Sequence, residues 1–300
     1  MTTMIVACSQ YQSCNIESIE EFENHVKAHL EAAYQKGAKL ILFPEFLAVE
    51  LLTLDHTPRP EKADMEAMFR DYAVKYTDYL ARLFADAAAK YQMAIAAGTH
   101  FVYNADEDKY RNTAFVYLPD GTVFKQNKLH RAIEMVYNRH MMTPGDEVNA
   151  FDFNGMRVSI NVCYDNSFPE SARISQSLGS DLILSPVCAF DEYGKTEQAL
   201  FCRARASENF LFDINSQMVG QIAFPFHLPY GSTYSGRSGI YCPIHPALSL
   251  DGILAQAKDG EDQVITADLD IDRLHKLRET RQVGVLNDWR GEVYSKYLLK

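Results

Sequence analysis

The chain has 300 residues, of which 47% are hydrophobic and 23% are charged, a composition typical of globular proteins with a large core. Its formal net charge of -11 argues against a nucleic-acid partner, because there is no basic surplus to neutralise phosphates. No apolar run approaches the ~20 residues that a membrane span needs.

The first half of the chain alternates strands with helices. A strand is predicted at Met4–Cys8, and apolar residues at helical spacing predict a helix from Ile19 to Ala33 that stops at Gly37. The apolar run Lys39–Phe43 predicts a buried strand that ends at Pro44 and Glu45. The next predicted elements are a helix over 61–90, a strand at Met93–Ala97, and a hairpin of Asn112–Leu118 and Thr122–Lys128 around a Pro-Asp-Gly turn.

The second half begins with an irregular stretch, Leu129–Asn149, of a length often found in functional loops. An Asn-Gly pair then predicts a hairpin of Phe151–Phe153 and Met156–Val162. The remaining predicted strands are Asp181–Val187, Phe210–Ile214, Ser238–Cys242 and Val264–Leu269, and the helices are Pro169–Leu178, Glu197–Asn209 and Ile271–Glu279. Helices that alternate with strands, several of them joined by hairpins, indicate an α/β fold with mixed sheets.

The cysteines and the N-terminus give information on metal binding and on the cellular compartment of the protein. None of the six cysteines forms a CxxC pair, and no His/Cys/Asp cluster has the linear spacing of a metal site. The N-terminus lacks the basic region and long apolar run of a signal peptide. We therefore expect reduced thiols, a cytoplasmic location, no metal or organic cofactor, and a single domain over residues 1–300 with 281–300 as its tail.

Three polar residues each sit at the end of a predicted strand: Glu45, Lys128 and Cys163. Acyl transfer from an amide needs a nucleophile, a base and a positive group near the developing oxyanion, which Cys, Glu and Lys can supply. Cys163 also precedes a predicted helix, whose N-terminal dipole would favour a thiolate. The alternative for this cysteine is a buried free thiol that fills a core gap.

The order of these residues and of several short motifs resembles the nitrilase superfamily of carbon–nitrogen hydrolases. The matching segments include Phe43-Pro-Glu45, Asn112-Thr-Ala114, Asn127-Lys-Leu-His130, Thr143-Pro-Gly-Asp146, Val162-Cys-Tyr-Asp165, Phe168-Pro-Glu170, Ser185-Pro186 and Arg203-Ala-Arg-Ala206. The resemblance extends from near residue 4 to about residue 290. It implies a four-layer α-β-β-α sandwich with two mixed β-sheets, assembled as a homodimer or larger homo-oligomer.

The resemblance also implies roles for the site residues. Glu45 resembles the general base, and Lys128 resembles the lysine that stabilises the tetrahedral intermediate. Cys163 resembles the nucleophile that forms a thioester, and the backbone N–H of Tyr164 would complete the oxyanion hole.

One departure from the family concerns a second glutamate that many members carry seven positions before the Gly of the Pro-Gly turn. Counting back from Gly145, this chain has Asn138 there, whereas Glu134 lies four residues earlier and could supply the carboxylate. The alternative for Glu134 is a surface loop charge. Cys188 lies where the family often has small or aromatic residues that line the pocket, although its interpretation as a small core residue is equally good.

These features predict a thiol amidohydrolase that acts on a small non-peptide amide or carbamoyl compound and releases ammonia. The alternatives are a nitrilase that converts a nitrile to a carboxylic acid, and a catalytically silent scaffold with the same fold. The stretches Arg131–Met142 and Gln221–Tyr234 are rich in basic and aromatic residues, which favours a substrate bearing a carboxylate. Arg203, Arg205 and Glu208 are expected to form a structural ion-pair network.

Overall fold

The computed structural model describes residues 3–54, 62–132, 142–222, 233–280 and 283–298. The strands in these ranges are β1 Thr3–Gln10, β2 Gln12–Ser13, β3 Leu40–Leu42, β4 Ala94–Asn104, β5 Lys109–Tyr117, β6 Val123–Asn127, β7 Ala150–Phe153, β8 Met156–Ile160, β9 Leu182–Val187, β10 Phe212–Gln217, β11 Val219–Gln221, β12 Thr233–Tyr234, β13 Gly239–Tyr241, β14 Ile253–Gln256 and β15 Gln263–Asp270. The α-helices are α1 Ile19–Gln35, α2 Lys62–Tyr91, α3 Pro169–Ser177, α4 Glu192–Asn209, α5 Ile271–Arg278, α6 Gly284–Asn287 and α7 Gly291–Leu298. The segments Leu47–Leu54 and Cys163–Ser167 are 3-10 helices.

Two six-stranded sheets carry the fold, in the orders β15-β1-β3-β4-β5-β6 and β14-β13-β10-β9-β8-β7. The first sheet has parallel pairs at β1–β3 and β3–β4, and its other pairs are antiparallel. The second sheet has parallel pairs at β8–β9 and β9–β10, and its other pairs are antiparallel. Both sheets are therefore mixed. Read from β7, the second sheet has the same succession of parallel and antiparallel pairs as the first sheet read from β15.

The sheets face each other, and helices cover their outer faces. Because side chains alternate along a strand, Val6 and Cys8 of β1 enter the core between the sheets while Ala7 packs toward the helices. The core between the sheets includes Leu40, Leu42, Val158, Leu184 and Ile214. Helices α1 and α2 pack on the first sheet, and α3 and α4 pack on the second. The predicted four-layer α-β-β-α sandwich is confirmed.

Helix α1 shows how the sequence specifies its own ends. The side chain of Ser18 accepts a hydrogen bond from the Glu21 N–H at the N-terminus, which satisfies a donor that the helix leaves free. Gly37 adopts a φ of 76° just beyond the C-terminus, a conformation that glycine takes at little steric cost. The face that packs on the sheet carries Phe22, Val26 and Leu30 at the predicted helical spacing.

The structure corrects several predicted boundaries. Helix α4 begins at Glu192 rather than Glu197, because Asp191 caps it by accepting from the Gly194 N–H at 2.7 Å. Phe210, predicted to start a strand, is instead the left-handed residue that ends α4. Strand β14 and the short helices α6 and α7 were not predicted. No helix in the described ranges combines the length and the apolarity that crossing a bilayer requires.

Candidate active site

Glu45 lies in a tight turn just beyond the end of β3, and its side chain is buried. Phe46, which follows it, has a φ of 58°, and its N–H donates to Thr99 Oγ1 at 3.1 Å. A Cβ on Gly98 would lie 1.8 Å from the carbonyl oxygen of Pro44. The turn is therefore pressed against an irregularity in β4, and this close approach fixes the direction in which the Glu45 side chain points.

Lys128 follows β6, and two backbone hydrogen bonds hold it in place. Its N–H donates to Asn112 O at 2.9 Å, and its carbonyl oxygen accepts from the Gly145 N–H at 2.7 Å. Position 145 has no room for a side chain, because a Cβ there would lie 2.6 Å from Asn127 O. The Pro-Gly turn that the sequence singled out thus supports the backbone of the lysine.

The side chains of Glu45 and Lys128 meet in the interior of the protein. Lys128 Nζ donates to Glu45 Oε1 at 2.6 Å, and Asn112 Nδ2 donates to the same oxygen at 2.8 Å. Burial is the largest influence and disfavours the charge on Lys128, but Glu45, Cys163 and Asp165 together outweigh it and hold the pKa of the lysine above its usual value. The sequence indicates no role for Asn112 beyond its place in a family motif; in the fold it is the second donor to the Glu45 carboxylate.

Cys163 begins a 3-10 helix, is separated from the end of β8 by Asn161 and Val162, and is partly buried. Its φ of 48° is in the left-handed region, which is uncommon for a residue with a side chain and is often found at functional sites. Its Sγ lies 4.0 Å from the carbonyl oxygen of Cys188. The strained backbone therefore presents the thiol at a sharp turn between a strand and a helical segment.

The electrostatics of Cys163 differ from the expectation drawn from the sequence. Burial and the negative charge of Glu45 raise the pKa of the thiol well above its ordinary value, although the Lys128 ammonium opposes them. Helix α3, whose dipole was expected to favour a thiolate, begins only at Pro169. Burial and the charge of Glu45 thus favour the neutral thiol over a preformed thiolate.

Asp165 ties the lysine segment to the cysteine segment. Its buried carboxylate accepts from the backbone N–H groups of Leu129 at 3.2 Å, His130 at 2.8 Å and Val162 at 3.1 Å. The His130 ring nitrogen Nδ1 lies 2.9 Å from the same carboxylate. The sequence placed Asp165 in a family motif, but its role as a bridge depends on contacts between segments distant in the chain.

The other predicted site residues divide into those that the structure describes and those that it does not. Tyr164 follows Cys163, and its ring packs edge-on against Phe168, with 5.1 Å between the ring centroids. Cys188 is buried and follows β9 near the thiol of Cys163. Glu134 and Asn138, the two candidates for the position of the second glutamate, lie outside the described residues.

Arg205 and Glu208, two members of the predicted ion-pair network, lie beside the 3-10 helix that starts with Cys163. Arg205 Nη1 lies 2.9 Å from Glu208 Oε1, which confirms that these two residues pair. The same guanidinium donates twice to the carbonyl oxygen of Asn166, at 3.0 and 2.8 Å. Arg205 thereby connects α4 to the 3-10 helix that starts with Cys163.

Comparison with known proteins assigns the chain to a family. The carbon–nitrogen hydrolase family model matches residues 5–279. The chain belongs to the carbon–nitrogen hydrolase family. Members of this family act on carbon–nitrogen bonds, and the chain is accordingly a carbon–nitrogen hydrolase of the nitrilase superfamily.

Among the relatives in this family, a probable hydrolase, YhcX, from Bacillus subtilis is 31% identical over 288 residues, which are 95% of this chain and 53% of YhcX. The chain thus spans about half the length of that relative. The human omega-amidase NIT2 is 25% identical over 310 residues, covering 100% of both chains. A nitrilase from Pyrococcus abyssi is 26% identical over 288 residues, covering 95% of this chain and 97% of the nitrilase.

Solved structures of carbon–nitrogen hydrolases share the fold. A carbon–nitrogen hydrolase from Helicobacter pylori superposes with a TM-score of 0.78 at 22% identity, covering 100% of this chain and 99% of the other. An amidase from Nesterenkonia superposes with a TM-score of 0.72 at 19% identity, covering 98% and 96%. The four-layer architecture is therefore the architecture of this family.

Proposed function

We propose that the chain hydrolyses a small non-peptide amide through a thioester on Cys163 and releases ammonia. The observation that carries the proposal is the buried contact of Lys128 with Glu45 at 2.6 Å, beside a thiol whose pKa responds to both charges. This arrangement supplies a nucleophile, a base and a positive group in one place, which are the parts that acyl transfer from an amide requires.

In the proposed acylation, the Glu45 carboxylate takes the proton of the Cys163 thiol as the sulfur attacks the amide carbonyl carbon. The carbonyl oxygen becomes an oxyanion, which the Lys128 ammonium and the backbone N–H of Tyr164 stabilise. Tyr164 lies at the N-terminal end of the 3-10 helix, where backbone donors lack partners within the helix. The protonated Glu45 then gives its proton to the amide nitrogen, the carbon–nitrogen bond breaks, and ammonia leaves behind a thioester.

In the proposed deacylation, water replaces ammonia and the same groups act again. Glu45 takes a proton from the water as its oxygen attacks the thioester carbon, and Lys128 again faces the oxyanion. The carbon–sulfur bond breaks, the carboxylic acid is released, and the proton held by Glu45 returns to the sulfur of Cys163. One water is consumed for each ammonia and each carboxylic acid formed, and the enzyme returns to its starting state.

The proposed substrate class is an amide that also bears a carboxylate, such as the ω-amide of a dicarboxylic acid or an N-carbamoyl amino acid. The relatives named omega-amidase, which align over nearly the whole chain, favour the ω-amide. Of the basic residues that motivated an anionic substrate, Arg131 lies partly buried at the end of a described segment. Arg139, His140 and the aromatic stretch 223–232 lie outside the described residues.

The test is ammonia release from a matched panel of anionic, neutral and cationic amides of similar size. We expect turnover of the anionic amides and none by Cys163→Ala, whereas Cys242→Ala, which alters a buried cysteine elsewhere, should retain it. When the enzyme is quenched rapidly during turnover of an amide, mass spectrometry should show the mass of the acyl group added to the peptide that contains Cys163. Turnover by Cys163→Ala would contradict the mechanism, and a preference for cationic amides would contradict the substrate class.

A nitrilase activity is the second candidate, because the same thioester can be reached from a nitrile and a relative from Pyrococcus abyssi bears that name. Paired nitrile and amide substrates with the same acid product separate the two activities. A catalytically silent scaffold is the third candidate. It would be favoured if no substrate, in either the amide panel or the nitrile–amide pairs, gave ammonia release or an acyl-enzyme on Cys163.

A further inference from the structure

Three side chains of types that bind metal ions lie close together outside the site of Glu45, Lys128 and Cys163. It consists of Cys14 after β2, His25 on α1 and Glu50 in the 3-10 helix Leu47–Leu54, whose ligand atoms lie within 4.8 Å of one another. Each ligand comes from a different segment of the chain. Linear spacing therefore gave no sign of this cluster, which forms where α1 and β2 pack against the 3-10 helix Leu47–Leu54.

Glu50 is the most constrained member of the cluster. Its carboxylate is fully buried and accepts from the Cys14 N–H at 2.8 Å and from the Tyr11 hydroxyl at 2.9 Å. Within the described part of the chain, the nearby ring nitrogen is His25 Nδ1, which lies 4.0 Å from Glu50 Oε1. A buried carboxylate without a close cation is costly, and a divalent ion between these groups would offset that cost.

His25 is held in the orientation that a metal ligand needs. Its Nε2 lies 3.1 Å from Asp262 Oδ2, and its ring stacks on Tyr11 with 4.0 Å between centroids. When Nε2–H donates to a carboxylate, Nδ1 is left as an unprotonated acceptor, which is the usual support for a metal-bound histidine. In His25 this Nδ1 faces Glu50.

His29, one turn further along α1, provides a contrast. Its Nδ1 lies 2.9 Å from Ser9 Oγ, and its Nε2 lies 3.0 Å from Asp262 Oδ1. Both of its ring nitrogens are therefore engaged by protein groups. His29 can help to position Asp262 but has no free nitrogen for an ion.

The chemistry of the three ligands points to zinc, which binds Cys sulfur at about 2.3 Å and His nitrogen or carboxylate oxygen at about 2.0–2.2 Å. Two such ligands on a tetrahedral ion lie about 3.4 Å apart, so the present gap of 4.0 Å between His25 and Glu50 closes with a small side-chain movement. A cavity of about 390 Å³ lined by Cys14, His25 and Asp262, among others, leads to the cluster. It provides access for an ion and room for a water as the fourth ligand.

We propose that Cys14 Sγ, His25 Nδ1 and Glu50 Oε1 form a zinc site, with Asp262 as the carboxylate that orients His25. The 3-10 helix that carries Glu50 starts at Leu47, close after Glu45. The ion would tie this helix to α1 and to β2, and β2 pairs with β11. Zinc would thus stabilise the segment that follows the candidate base, without taking part in the reaction.

The experiment titrates Co²⁺ and then Zn²⁺ into Cys163→Ala protein, in which the active-site thiol cannot act as a ligand. Cys14 is then the remaining partly exposed cysteine, since Cys8, Cys188, Cys202 and Cys242 are buried. We expect one Co²⁺ per chain with a thiolate-to-cobalt charge-transfer band, displacement of that band by Zn²⁺, and a rise in Tm with zinc, since a ligand of the folded state stabilises it.

Variants in the same background assign the ligands. Cys14→Ser should abolish the band, Glu50→Gln should weaken Co²⁺ binding by at least about tenfold, and Asp262→Asn should weaken it by about 10–100-fold. His25→Gln and His29→Gln form a matched pair on one helix, of which the first should lose tight binding and the second should keep the band. Circular dichroism confirms the fold of each variant.

Several outcomes would overturn the proposal. These are the absence of metal binding by the Cys163→Ala protein, a charge-transfer band that survives Cys14→Ser, and binding that depends on His29 but not on His25. The first of these needs only the parent protein, so it holds even if a ligand variant does not fold.

Discussion

The Nζ of Lys128 lies 2.6 Å from Oε1 of Glu45, although 83 positions separate the two residues in the chain. Both side chains are buried, so each charge depends on the other for compensation. A pair of this kind is costly to break on one side, because the remaining charge stays in the interior without a partner.

Replacing Lys128 with Met should therefore lower the free energy of unfolding by about 3–5 kcal/mol and abolish turnover. The double variant Glu45→Gln/Lys128→Met should recover most of that stability while remaining inactive, because it removes both charges. Urea unfolding followed by circular dichroism measures the effect. Equal stability of the single and double variants would show that the two charges do not depend on each other.

Glu45→Gln should lower the pKa of the Cys163 thiol. The Glu45 charge is one of the causes that raise this pKa, and Lys128, which lowers it, remains in the variant. The pH midpoint of iodoacetamide alkylation at Cys163 should therefore move down, while turnover is lost with the base. Mass spectrometry of the Cys163 peptide across pH gives the midpoint.

The peptide containing Cys14 serves as the internal control for that measurement. Burial and the nearby Glu50 raise the pKa of Cys14 to about 11, and neither cause involves Glu45. Its alkylation should be the same in both proteins. A Cys163 midpoint that stays in place or moves up would contradict the electrostatic assignment of Glu45.

Asp165→Asn should reduce kcat more than it changes KM. The variant leaves backbone N–H groups of Leu129 and Val162 without the carboxylate oxygen that accepts from them, at a cost of about 1–3 kcal/mol in stability. A displacement of about 1 Å between the Cys163 thiol and the Lys128 ammonium can lower the rate of the proposed reaction by about 100-fold. Steady-state kinetics on an accepted amide and urea unfolding test both parts.

Asp152→Asn is the matched control, because Asp152 is an exposed carboxylate that pairs with Arg157. It should change neither kcat nor stability by a measurable amount, as is usual for exposed ion pairs. If Asp165→Asn behaved like Asp152→Asn, Asp165 would not position the site.

Gly98→Ala should be far more damaging than Gly155→Ala. Both positions have positive φ, 64° and 79°, so both substitutions strain the backbone by about 1–2 kcal/mol. At Gly98 the new Cβ would also lie 1.8 Å from Pro44 O, whereas at Gly155 it would meet nothing within 4 Å. Comparing the yield, Tm and activity of the two variants isolates the effect of the close approach between Gly98 and the Glu45 turn. Similar losses in both variants would show that backbone strain alone matters.

How much of this protein follows from the linear sequence can be seen at the three candidate catalytic positions. Short local patterns predicted that Glu45, Lys128 and Cys163 each sit at the end of a strand, and in the structure they lie within three residues after the ends of β3, β6 and β8. Local patterns suffice for such predictions, because strand periodicity, turn residues and helix caps act over a few residues. The four-layer architecture required the family resemblance, since the stacking of two mixed sheets leaves no local signature.

The tertiary structure decided which side chains meet. The sequence placed Asn112 and Asp165 in motifs without roles, and it gave no reason to associate Cys14, His25 and Glu50. The pairing of β4 with β5 and of β5 with β6 brings Asn112 and Lys128 to Glu45. Such contacts depend on sheet order and register, which are set by pairing and packing between segments tens of residues apart. The protonation preference of Cys163 has the same origin: its own neighbours in the chain suggested a thiolate, whereas burial and the charge of Glu45, both consequences of the assembled fold, favour the thiol.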